Sequence, residues 1–272
     1  MDNPRTHGAA PFRLAVVHGG PGAPGSVAPV ACELSSSAGV LEPLQTAVSL
    51  DGQVQELKSL LERWGTPPVT LIGWSWGAWL SFILAAQHPT LVRKLILVGS
   101  PPFEQHYVPS IMETRFARLT HDEQRRVEAL QLVLHDAAVV DKGASLSELG
   151  GLLSRADAFD PLPAADAPRP TARGDQGSIY QRVWEAAALL RAEGTLLSLA
   201  GKIRCPVVAL HGDHDPHPTE GVQVPLTRAL SDFRFVMLDQ CGHEPWNERH
   251  ARDQFYATLR RELPDDAPAR SN

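Results

Sequence analysis

The sequence predicts an α/β fold: a reduced, mostly parallel sheet of about six strands, helices on both faces, and an inserted helical lid. Three observations predict it. Apolar runs without polar alternation, Phe12–Val17, 69–72 and 95–98, read as strands buried on both faces. Helix-forming stretches separate them, so the order is β-α-β-α-β. Strand-like runs then stop from residue 101 to about 202 and resume at 207–210 and Phe233–Leu238. The expected division is a core of 1–100 and 203–264, a helical lid of 101–202, and a disordered tail of 265–272.

Composition narrows the function. The chain has 272 residues, 43% of them hydrophobic and 21% charged, enough to bury a core in one large domain or in a core with a sizeable insertion. A net charge of −6, with no Lys/Arg cluster, argues against nucleic acid or an anionic membrane as the main partner; a small-molecule substrate is the partner expected from the chemistry below. Three cysteines without metal-type spacing suit a reducing compartment. Residues 1–11 lack the apolar core of a signal peptide, so a cytoplasmic location is expected.

Taken in order, Phe12–Val17 ends abruptly at His18-Gly19-Gly20-Pro21-Gly22, where regular structure cannot continue. A weak helix is expected at 27–34 and a short strand at Gly39–Glu42. Ser49 is a plausible N-cap for a helix over Leu50–Trp64, with Val54, Leu57, Leu60, Leu61 and Trp64 at helical spacing. Gly65 and Pro67-Pro68 end it. The strand at 69–72 then enters Gly73-Trp74-Ser75-Trp76-Gly77, and a helix leaves it over 76–88. Within the lid, Thr120 with Glu123, and Ser145 with Glu148, read as capping boxes opening helices to about 138 and 156. Residues 160–178 are rich in Pro, Ala, Asp and Gly and read as a mobile loop, followed by a helix at 179–192. A last amphipathic helix is expected at 247–263.

The chemistry lies at strand ends. Ser75 sits between glycines two positions away on each side, the spacing a strained strand-to-helix corner requires. A serine hydroxyl becomes a competent nucleophile when an imidazole removes its proton and a carboxylate holds that imidazole. Asp215 follows the strand at 207–210 and His243 follows Phe233–Leu238, giving the chain order Ser, Asp, His. Asp213 is the rival carboxylate, and Asp215 is favoured because Asp213 directly follows Gly212 and suits a backbone-bonding turn. His211, His214 and His217 cluster nearby, but their spacing is not that of a metal site. His214 and His217 are instead expected beside the pocket, Cys241 as a small buried hydrophobe, and Trp246 as the seat of the last helix. Neither a metal nor an organic cofactor is needed for this chemistry.

Across about residues 12 to 263 the sequence resembles the α/β-hydrolase family. Gly73-Trp74-Ser75-Trp76-Gly77 matches its nucleophile elbow, Gly212 to Asp215 its acid loop, and Gly242-His243 its base loop. His18-Gly19-Gly20-Pro21-Gly22 is similar to the HGGPG loop of prolyl iminopeptidases and related esterases. The resemblance implies the family's third to eighth strands, and an oxyanion hole formed by the backbone N–H groups of Gly20 and Trp76. It implies a serine hydrolase, with a carboxylesterase as the first reading and an aminopeptidase of the prolyl iminopeptidase type as the second. A non-catalytic small-ligand receptor on the same fold is a distant third. Val183-Trp184-Glu185 faintly resembles the lid motif that holds a substrate amine in those peptidases, making Glu185 a candidate. With His18, Gly19, Trp74 and His217 it completes the set of expected substrate-binding residues.

Overall fold

The computed structural model describes residues 3–136, 139, 143–163 and 176–263. The chain begins with a short strand, β1 (Arg5–His7), followed by β2 (Phe12–Val17), α1 (Ala28–Leu34), β3 (Gly39–Glu42) and α2 (Leu50–Trp64). Next come β4 (Val69–Trp74), α3 (Trp76–Gln87) and β5 (Val92–Val98). Helices then occupy the connection to the next strand: α4 (Pro109–Arg118), α5 (His121–His135), α6 (Gly143–Asp157), α7 (Gln176–Ala192) and the single turn α8 (Thr195–Ser198). The chain closes with β6 (Val207–Gly212), α9 (Glu220–Ala229), β7 (Phe233–Leu238) and α10 (Arg252–Glu262). One seven-stranded sheet results, in the order β1-β3-β2-β4-β5-β6-β7, parallel throughout except for β1 against β3.

The central strands are apolar on both faces because both faces are covered. Ala15, Val17, Leu71, Leu95, Leu97, Val207 and Ala209 join one core cluster with residues of α2, α3, α7 and α9. The alternate residues Leu14, Val16, Ile72, Ile96, Val98, Val208 and Leu210 join the other with α1 and α10. This is the period-2 division of a strand between two faces. The segment between β5 and β6 has its own small core of Leu119, Val127, Leu130, Leu152 and Ala156. It meets the sheet layer through Trp184, which stacks on Trp79 of α3 at 5.5 Å.

The mostly parallel sheet with helices on its faces is as expected, its seventh strand being β1, whose three residues are too few to carry a periodicity. Ser49 caps α2 as expected, accepting from the Gly52 amide, and Thr120 with Glu123 forms the expected capping box on α5. Ser145 with Glu148 does not cap a helix: α6 is already helical at Gly143, and Glu148 instead forms a two-pronged pair with Arg126 of α5. The last helix starts at Arg252 rather than 247, since residues Pro245–Asn247 form a separate turn and Glu248 is buried. Of the loop expected at 160–178, residue 161 bridges to Glu248, α7 begins at Gln176, and 164–175 lie outside the described residues. The tail expected at 265–272 also lies outside them. Helix α9 was not anticipated, because Pro225 in its interior masks it. Among the described residues no helix is long and apolar enough to cross a membrane.

Candidate active site

Ser75 stands at the carboxyl end of β4, in the middle of the sheet, with φ 53° and ψ −120°. A non-glycine residue there is strained and persists only when its surroundings hold it. Three features hold it. Its amide donates to the carbonyl of Val98 in β5 at 2.9 Å. A β-carbon on Gly73 would overlap the Gly77 carbonyl, and one on Gly77 would overlap the carbonyls of Val17 and His18. The corner is therefore closed to any side chain at either flank.

The residue after Val98 locates the rest of the site. Gly99 has φ +50°, and a β-carbon on it would lie 3.0 Å from Nδ1 of His243 and 3.1 Å from Oδ2 of Asp215. Those two atoms are hydrogen-bonded to each other at 2.7 Å, and both residues are buried. The fold thus places Ser75, Asp215 and His243 beyond the carboxyl ends of β4, β6 and β7. Because the carboxylate only accepts, Nδ1 of His243 carries the proton and Nε2 is left as an acceptor. Nε2 of His243 and Oγ of Ser75 bond to no described residue, and neither is sealed from solvent.

Asp215 has two further imidazole neighbours. Its Oδ1 accepts from both the amide and Nδ1 of His217, at 2.9 and 2.8 Å, and Nε2 of His211 lies 3.5 Å from Oδ2. Burial opposes charge on Asp215, but His243, His217 and His211 outweigh it and hold the carboxyl well below the usual range. Burial likewise opposes charge on His243, yet the Asp215 carboxylate, by charge and hydrogen bond, raises its pKa above the ordinary value. Burial lowers His217 to about 4, so its ring stays neutral. The ligand-type atoms of Asp215, His217 and His243 lie within 4.8 Å of one another. Separations of 2.7 and 2.8 Å are those of hydrogen bonds; bonds of about 2.0–2.1 Å to a tetrahedral zinc would spread donors to about 3.3 Å. Asp213 is exposed and accepts the Cys241 amide across the two loops.

Other expected residues take different places. His18 is buried, with Nδ1 donating to the Gly19 carbonyl and Nε2 accepting from the Gln45 amide; burial lowers its pKa to about 4. It pins the loop after β2 to the segment after β3. A β-carbon on Gly19 would lie 2.7 Å from the Trp74 ring and 3.3 Å from Cβ of Ser75, so Gly19 lets this loop approach the corner. Gly20 has φ +105°. The amides of Gly20 and Trp76 donate to no acceptor among the described residues. Trp76 turns its indole away to Gln53 and Trp184. Trp74 donates to the carbonyl of His243 at 2.9 Å and packs on the His243 and Trp246 rings. Trp246 also meets Phe255 of α10, and Cys241 is buried. Glu185 is exposed and accepts from Gln181 one turn earlier.

Three contributors were invisible in the sequence. Gly99 showed only as a glycine after a strand. Asp157, at the end of α6, accepts the His243 amide with its carbonyl and pairs with Arg115 of α4 through two bonds of 2.7 Å. Glu248 accepts the amides of Gly242, Phe159 and Asp160 at 2.8–3.0 Å. Each joins positions far apart in the chain.

Fold and site together define an α/β protein whose candidate reaction centre lies at the carboxyl edge of a parallel sheet, between the ends of β4, β6 and β7. The model of the alpha/beta hydrolase fold family matches residues 16–246, and the chain belongs to that family. A pimeloyl-[acyl-carrier protein] methyl ester esterase from Chromobacterium violaceum is 26% identical over 190 residues, which cover 66% of this chain and 64% of that protein. The chain thus spans just under two thirds of that relative's length. Among solved structures, VinJ superposes with a TM-score of 0.66 at 18% identity, over 95% of this chain and 93% of that one. A proline iminopeptidase from Mycobacterium smegmatis does so with 0.60 at 16%, over 95% and 93%. These likenesses are of fold.

Proposed function

We propose that the protein is a serine hydrolase that cleaves a carboxylic ester of a small, largely apolar substrate through an acyl-enzyme. The observation that carries this reading is the buried 2.7 Å Asp215–His243 pair beside Ser75 in its strained corner. Nε2 of His243 takes the Ser75 proton as Oγ attacks the ester carbonyl, and Asp215 fixes the imidazole tautomer and stabilises its cation. The free amides of Gly20 and Trp76 receive the developing oxyanion; each such donor contributes about 3–4 kcal/mol. His243 then protonates the leaving alkoxide, and the same ring activates water to release the acid. The helical segment between β5 and β6 acts as a lid over this edge.

Ester rather than amide cleavage is supported by the described placement of Glu185, whose carboxylate faces solvent with Gln181 instead of offering a buried anchor for a substrate amine. The esterase named among the relatives agrees in reaction class. The HGGPG loop is shared in pattern with iminopeptidases, so the deciding experiment sets short-chain p-nitrophenyl esters against proline p-nitroanilide. Ester turnover with Ser75 labelled by a fluorophosphonate is the expected result. Preferred turnover of the anilide would replace esterase by aminopeptidase, and failure of both substrates and of labelling would remove the enzyme reading. Ser75→Ala is expected to lower turnover by about 10⁴-fold or more with an unchanged circular dichroism spectrum.

A further inference from the structure

Far from Ser75 in the strand order, at the β1 edge of the sheet, a second nucleophile, base and carboxylate stand in hydrogen-bonded series. Sγ of Cys32, on the exposed side of α1, lies 3.3 Å from Nδ1 of His7 in β1. Nε2 of His7 lies 2.9 Å from Oε2 of Glu42 in β3, a side chain with no exposure at all. The carboxylate can only accept, so in the neutral ring Nε2 carries the proton and Nδ1 faces the thiol as a base. The sheet sets this spacing. Strands β1 and β3 pair antiparallel, Arg5 opposite Glu42 and His7 opposite Val40, and α1 packs over β3. The other oxygen of Glu42, which has no hydrogen bond, faces Nη1 of Arg5 at 3.6 Å.

The remaining cysteines lack such surroundings. Burial pushes the Cys205 thiol up to about 11 and the Cys241 thiol higher still. Cys32 alone joins exposure to an oriented imidazole, the combination that makes a thiol reactive.

We propose that Cys32, with His7 as base and Glu42 as the group orienting it, is a reactive thiol that exchanges with small disulfides. The proton passes from Sγ to Nδ1 of His7 and Sγ attacks one sulfur of the disulfide. The S–S bond breaks, a new one forms to Cys32, and the departing thiolate takes the electron pair and then the proton from His7. One disulfide is consumed and one is formed, so no further oxidant is needed. Charged groups on the elements packed here include Arg5 and His7 from β1, Arg13 from β2, Glu42 from β3, Glu33 of α1 itself, and Arg260 of α10, which pairs with Glu33.

The test is reaction with oxidised glutathione at pH 6, where an unassisted thiol is under about 1% ionised. Intact-mass and peptide analysis is expected to find a single glutathionyl group, on Cys32, added at least about fivefold faster than to N-acetylcysteine. His7→Asn and Glu42→Gln are expected to remove that advantage. A wild-type rate below this margin, modification at another cysteine first, or a rate that neither variant lowers would overturn the proposal. Reaction of the buried Cys241 reports a variant that has unfolded, and the wild-type ratio to N-acetylcysteine then decides.

Discussion

At Asp215 the two carboxylate oxygens have different partners. Oδ2 accepts from His243 and Oδ1 from the side chain and main chain of His217, so the group cannot rotate without breaking a buried hydrogen bond. Asp215→Asn is expected to lower kcat/KM for an ester by about 10⁴-fold, as removal of a triad carboxylate does. Asp213→Asn, at a side chain that accepts the Cys241 amide, should cost less than about tenfold; equal losses would exchange the two assignments. The raised pKa of His243 gives a second expectation. The base must be neutral to act, so the acidic limb of the pH–kcat/KM profile should lie above 6.5. It should move down in Asp215→Asn, which removes the charge that raises it.

At the scale of elements, the ends of β5 and α6 support the loops that hold Asp215 and His243. Gly99→Ala places a methyl group against Nδ1 of His243 and Oδ2 of Asp215 at a positive φ. It is expected to cost about 1–3 kcal/mol in stability and about 10²-fold in kcat, read by urea unfolding and ester turnover. Glu248→Ala leaves the amides of Gly242, Phe159 and Asp160 without their acceptor. A loss of about 2–4 kcal/mol is expected, with reduced turnover because His243 follows Gly242 directly. These contacts were illegible in the sequence for a physical reason. A buried carboxylate that accepts three amides resembles any other Glu on an amphipathic stretch, and by sequence pattern Glu248 falls within the last helix. Ser49 and Thr120 were legible because a cap is a contact within four residues.

Across the whole molecule, buried imidazoles set how stability follows pH. His18 has its folded pKa lowered from 6.5 to about 4, so the stability present above 6.5 is lost as pH falls toward 4, by roughly 3 kcal/mol for full titration. His217 acts in the same direction. His243, with its folded pKa raised, contributes stability that is complete below 6.5 and is lost as pH rises through the folded value. Urea midpoints are therefore expected to peak near pH 6.5 and to fall on both sides. His18→Gln should flatten the acidic side, and an unchanged slope there would show that His18 does not govern it.

The order of the six strands β2 to β7, the corner at Ser75 and the strand-end positions of Asp215 and His243 were determined by the sequence alone. Each depends on local rules: hydrophobic period, glycine spacing, and loops that must begin where strands end. The tertiary structure decided which atoms meet. It placed His217 on the second oxygen of Asp215 and Gly99 beneath the pair, and it turned the Trp76 indole toward Gln53 and Glu185 toward solvent. Sheet order and helix packing make such contacts between residues tens to hundreds of positions apart. No periodicity in the chain encodes them, and so Ser75 could be located from its neighbours in sequence while its supporting shell could not.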